Sequence, residues 1–137
     1  MSAENKALVA RWFEEVWNKG RSEAIDEMMA PAAVVHGLGA DMVGPAAFKS
    51  FHAAFRTAFP DVRVHMEELI AEGDRVAYRL TASGTHDGDG LGFPATCRSC
   101  SFVVMGSARI ADGKIVEGWN LIDELGMRTQ LGVIAAP

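Results

Sequence analysis

Apolar positions in the first third of the chain recur at helical spacing. Val9, Phe13 and Val16 fall on one side of residues 4–17, and Leu8, Trp12 and Trp17 widen the stripe, which predicts an amphipathic helix. Gly20, closing "NKG", is the expected left-handed terminator. Ser22 is placed to cap a second, shorter helix through Met29, with Pro31 as its stop. "AVVHG", residues 33–37, is short and β-branched and predicts a small strand. "GPAAFKSFHAAFRTAF" predicts a third helix: Pro45 suits its first turn, and Phe48, Phe51, Phe55 and Phe59 form one apolar face.

From residue 62 the period changes from helical to alternating. "VRVHMEELIAEGDRVAYRLTASGTH" reads as two strands joined at "EGD", followed by a glycine-rich loop, "DGDGLGFPAT". "CSFVVMGSARI" and "KIVEGWNLID" read as two more strands, joined by "ADGK", whose Asp-Gly pair is a strong hairpin signal. A short helix, "ELGMRTQL", follows. Helices grouped before a run of antiparallel strands predict an α+β fold with the helices on one face of the sheet. With no repeat or linker, residues 1–137 are expected to form one domain. A strongly curved sheet closed by helices leaves an apolar mouth, a common setting for a small-molecule pocket.

Composition narrows the function. Hydrophobic residues make up 49% and the net charge is -5, with acidic and basic positions interspersed. No basic stripe points to nucleic acid as a partner. The apolar runs fall far short of the roughly 20 residues needed to span a bilayer. "MSAENKALVARWF" lacks the basic start and apolar block of a secretory signal, so a cytoplasmic location is the expectation. The two cysteines, Cys97 and Cys100 in "CRSC", lead into a strand rather than a helix, so a structural, reduced pair is expected.

"VARWFEEVWNKG", "AIDEMMAPAAVVHG", "GPAAFKSFHAAFRTAFPDVRV", "LIAEGDRVAYRLTASGTH", "GFPAT" and "RIADGKIVEGWNLIDELGMRTQLG" resemble, in order and spacing, the SnoaL-like polyketide cyclase family. That family belongs to the NTF2-like superfamily, with ketosteroid isomerases and limonene-epoxide hydrolases. The resemblance covers residues 5 to 132. It implies an NTF2-like cone: a curved antiparallel sheet with three N-terminal helices on its concave face. It also implies a hydrophobic small-molecule substrate, no metal or organic cofactor, and a homodimer formed through the sheet. Because the fold hosts several chemistries, the site must carry the functional argument.

Asp123 is the first candidate. In an alternating strand it shares a face with Trp119 and Leu121, where desolvation would raise its pKa toward the range a general acid or base needs. The resemblance implies an acid/base role in an intramolecular aldol closure. An Asp just before "ELGMRTQL" is equally placed to cap that helix, and both readings stay open. His36 and His86 occupy positions where the family carries histidines, and either would hydrogen-bond a developing enolate oxygen. His52 falls within the phenylalanine stripe and is expected to line the pocket with Phe13, Trp17, Phe51, Phe55, Met105 and Trp119. His36, His86 and Asp123 lack ligand spacing on any one element, so no metal is expected.

The chain also departs from the family. Phe13 stands where several cyclases carry a tyrosine, and the strand beside the acid offers Met105 and Ser107 rather than a histidine. The expectation is a cofactor-independent acid/base enzyme acting on a hydrophobic carbonyl compound, by cyclisation or isomerisation. The departures motivate an alternative, a non-catalytic small-molecule-binding module. Epoxide hydrolysis is a further alternative.

Overall fold

The computed structural model describes residues 2–134. The first helix, α1 (Ser2–Trp12), runs directly into a π-helical segment (Phe13–Asn18), marked by the wide bond from Lys19 N–H to the Glu14 carbonyl. After α2 (Glu23–Met28) come β1 (Met29–His36), the two-residue β2 (Met42–Val43) and α3 (Gly44–Ala58). The remainder is β3 (Arg63–Glu72), β4 (Arg75–Thr85), β5 (Ser99–Ala111), β6 (Lys114–Ile122) and α4 (Glu124–Leu131). None of these helices is long and apolar enough to cross a membrane.

The six strands form one sheet in the order β2-β1-β6-β5-β4-β3. This corrects the expected architecture on three counts. The sheet is mixed, because β1 runs parallel to β6 while the other neighbours are antiparallel. Only two helices precede it; the third, α3, is inserted between β2 and β3. Nor is the sheet strongly curved: β4 and β5 pair without a register break from Arg75↔Arg109 to Thr85↔Ser99. The physical reason for the first two is β1. Its run extends back through Pro31 to Met29, so the helix and strand meet at residue 28 instead of being separated by a proline-led loop.

The core lies between the helices and the inward face of the sheet. In α3, Phe48, His52, Phe55 and Ala58 are buried, spaced as a helix presents one side. In β4 the buried residues alternate as Val76, Tyr78, Leu80 and Ala82; in β5 they are Cys100, Phe102, Val104, Ala108 and Ile110. Burial of a side chain such as Phe59, Ile25 or Met28 stabilises the fold by about 1.5–3 kcal/mol.

The inward face of β6 is set by a bulge. Ile115 pairs with Ile110 but Glu117 pairs with Arg109, so Val116 is the extra residue. Its insertion flips the alternation. Ile115 faces in, and beyond the bulge Gly118, Asn120 and Ile122 turn inward while Trp119 and Leu121 turn outward. The hairpin before the bulge turns at Asp112 and Gly113, both with positive φ, the backbone a two-residue turn of this hand requires.

Candidate functional site

An apolar pocket lies between the helices and the inward face of the sheet. Its cavity volume is about 90 Å³. Trp12, Phe13 and Trp17 line it from the N-terminal helix and its π-helical extension, and Phe48, Phe51 and Phe55 from α3. The sheet contributes Tyr78, Leu80, Phe102, Val104, Gly118, Asn120 and Ile122, among others. No lining side chain is charged. The aromatic walls hold one another: Trp17 meets Phe55 edge-on at 5.5 Å between ring centres and Phe51 at 6.1 Å.

Apart from the two indoles, the polar side-chain atoms of the lining belong to Tyr78 and Asn120. Tyr78 donates its phenolic hydrogen to Asn120 Oδ1. The two residues stand on β4 and β6, with β5 between them. Gly106 of β5 pairs with Tyr78 on one side and Asn120 on the other, so the phenol passes over a position that has no side chain. Phe13 braces the phenol ring edge-on, at 4.9 Å and 65°. Burial pushes the Tyr78 pKa well above the ordinary phenol range, so the hydroxyl keeps its proton and remains a donor.

Of the residues expected from sequence, Phe13, Trp17, Phe51 and Phe55 line this pocket. His52 is buried beside it and does not line it. Its Nε2 lies 2.7 Å from the Val16 carbonyl, and its ring meets Trp17 edge-on at 4.9 Å. Desolvation lowers its pKa, which keeps the imidazole neutral and donating to that carbonyl. Met105 and Trp119 lie on the opposite face of the sheet, 54% and 52% exposed. Met105 has the outward parity of β5, and the Val116 bulge turns Trp119 outward.

Asp123, His36 and His86 occupy three separate places, and none of them lines the pocket. Asp123 is exposed and caps α4, with Oδ1 accepting the Gly126 N–H at 2.9 Å. His36 lies flat on Trp119, 4.0 Å between ring centres at 22°, with Nε2 2.9 Å from Glu117 and Nδ1 3.0 Å from Asp41. The hydrogen bond that His36 donates to Glu117, aided by Asp41, raises the His36 pKa; that same bond lowers the Glu117 pKa. His86 is fully buried between Phe59 and Phe93 and pins the glycine-rich loop, since Nδ1 accepts the Thr96 N–H at 3.1 Å. Among the described residues, no three histidine, cysteine, aspartate or glutamate side chains gather as a metal site would require. Cys97 and Cys100 are free thiols.

The residues that the sequence reading missed are Tyr78, Gly106 and Asn120. Each left a trace. Tyr78 is the chain's one tyrosine and falls on the apolar parity of its strand; Gly106 interrupts a run of strand formers; Asn120 is a polar residue between Trp119 and Leu121.

Comparison with known proteins bears on what this arrangement does. Residues 7–131 match the family model described as SnoaL-like polyketide cyclase. The chain is 32% identical over 131 residues to aklanonic acid methyl ester cyclase DnrD of Streptomyces peucetius, covering 90% of this chain and 88% of that protein. It is also 32% identical over 123 residues to nogalonic acid methyl ester cyclase of Streptomyces nogalater, covering 85% and 89%. Among solved structures, AclR of Streptomyces galilaeus superposes with a TM-score of 0.87 at 29% identity, covering 100% of this chain and 86% of that one.

Proposed function

Because the chain belongs to the SnoaL-like polyketide cyclase family, we propose that it closes a ring in a hydrophobic polyketide carbonyl compound held in the apolar pocket. The observation that carries this reading is the lining itself: aromatic, without charge, and polar at one pair of residues that bridges three strands. Two of the similar proteins named above, those of Streptomyces peucetius and Streptomyces nogalater, are methyl ester cyclases. Esterification removes the charge of a carboxylate, and a pocket without a cation favours such a substrate. In an aldol closure a base removes a proton alpha to one carbonyl, the enolate carbon attacks a second carbonyl of the same molecule, and the resulting alkoxide takes up a proton. Substrate and product are isomers. The aromatic walls fold the substrate so that the two carbons meet.

The test is incubation with aklanonic and nogalonic acid methyl esters, followed by chromatography and absorbance. A protein-dependent product of unchanged mass is expected. Unchanged starting material with both esters counts against the reading.

For the proton transfer, the acid/base reading puts the base on Asp123, with His36 or His86 at the enolate oxygen. Asp123 directly follows Ile122, a lining residue, and would have to leave its cap to act. Full turnover by Asp123→Asn removes it from the mechanism.

We also infer a homodimer through the outer face of the sheet. Val103, Met105, Trp119 and Leu121 are all exposed there, and the register sets Met105 beside Leu121. Exposed apolar side chains grouped on one face of a sheet are the usual mark of a contact face.

A further inference from the structure

We infer that Asn120 is the residue that binds the ligand's carbonyl oxygen, through its side-chain amide hydrogens, and that Tyr78 is the positioning residue that holds it for this. The inference rests on the proposed function to the extent that the ligand is a hydrophobic carbonyl compound in this pocket.

An amide side chain has an acceptor end and a donor end. In Asn120 the acceptor is occupied by the Tyr78 hydroxyl, and among the described residues nothing accepts from the amide nitrogen. The Tyr78 hydroxyl donates to the amide oxygen, which turns the amide nitrogen away from the phenol, and burial keeps the phenol protonated. The donor end is therefore the one left for a ligand, in a pocket whose other sheet-side chains are apolar or glycine. Asn120 is half-buried, and its amide hydrogens have no protein partner among the described residues to give up when a ligand oxygen accepts from them. The same donor strengthens its bond as negative charge develops on that oxygen, which a charged residue is not needed to do.

The construction behind Asn120 supports a functional rather than incidental bond. The bulge at Val116 turns Asn120 inward. Gly106 leaves the path between the two side chains open, and Phe13 packs against the phenol from the π-helical segment. π-helical turns recur at functional sites.

The test uses two probes of one shape, 9-fluorenone and fluorene, which differ by the carbonyl. In the wild-type protein, fluorenone bound in the pocket shows a carbonyl stretch lowered from its value in hydrocarbon solvent. In Asn120→Leu that lowering disappears, fluorene affinity is kept, and the ratio of fluorenone to fluorene affinity falls about three- to tenfold. Tyr78→Phe, which keeps the ring against Phe13, retains fluorene binding and loses part of the same ratio. A carbonyl stretch unchanged between wild type and Asn120→Leu overturns the inference while leaving the pocket as a hydrophobic binding site. Failure of the wild-type protein to bind either probe overturns both the inference and the pocket reading beneath it.

Discussion

Gly106 leaves the space that the Tyr78 hydroxyl occupies: a methyl group at position 106 would stand 2.7 Å from the Tyr78 oxygen, and closer still to the Trp119 carbonyl. The absence of one side chain in β5 thus lets a residue of β4 reach a residue of β6. Gly106→Ala is expected to displace the phenol and destabilise the protein by about 1–3 kcal/mol, measured by urea unfolding. Removing the hydroxyl as well, in Gly106→Ala with Tyr78→Phe, relieves part of the clash. The double variant should therefore be more stable than the sum of the singles predicts. Strict additivity would mean that the glycine serves only the backbone contact.

The His36–Glu117 pair predicts a pH window. Both imidazole nitrogens face carboxylates, which favours the imidazolium and raises its pKa above the ordinary 6.5. A raised histidine pKa stabilises the fold fully below 6.5, and that contribution is lost as pH rises through the raised value. Glu117 has the opposite sense: its pKa is lowered from 4.5, so its contribution is present above 4.5 and is lost as pH falls through the lowered value. Unfolding midpoints of the wild type and His36→Gln should differ most between 4.5 and 6.5 and converge in alkaline solution. A gap that stays constant to high pH would assign the effect to the stacking on Trp119 instead.

Asp123 as a cap predicts a simple asymmetry. Asp123→Ala removes the acceptor for the Gly126 N–H and is expected to cost about 1 kcal/mol, whereas Asp123→Asn, an equally good cap, changes stability by only about a few tenths. Urea unfolding of the two variants measures this. Equal losses would show that the carboxylate charge, not the hydrogen bond, is what α4 needs.

The outer face of β5 and β6 predicts the state of assembly. Sedimentation of the wild type at micromolar concentration is expected to give twice the chain mass of 14.7 kDa. Leu121→Lys, at a position 73% exposed and beside Met105, is expected to give the single-chain mass with the fold retained. A wild type that already sediments as one chain would remove the dimer.

Much of the fold was legible because its periods are strong. The phenylalanine repeat of α3, the alternation of β4 and the Asp-Gly turn each point to one local structure. The parallel pairing of β1 with β6 was not legible, since strand partnership across more than 80 residues leaves no local trace. The candidate site divided along the same line. Phe13, Trp17, Phe51 and Phe55 were found by helical spacing, which no single residue upsets. Trp119 and Asp123 were placed by strand parity, which the extra residue Val116 reverses. The Tyr78–Asn120 bond joins residues of two strands that are not neighbours, and only the sheet brings them together.

Val116 also has a consequence for how such a molecule changes over generations. It separates two strings of side chains on one strand, Gly118–Asn120–Ile122 facing the cavity and Trp119–Leu121 facing out. Loss of that single residue would slide the second string inward. The cavity would exchange an amide for an indole and a leucine, and the outer face would receive the amide in return. The chemistries of the cavity and of the outer face are thus coupled through one codon, and a deletion there rewrites both at once where a point substitution rewrites one.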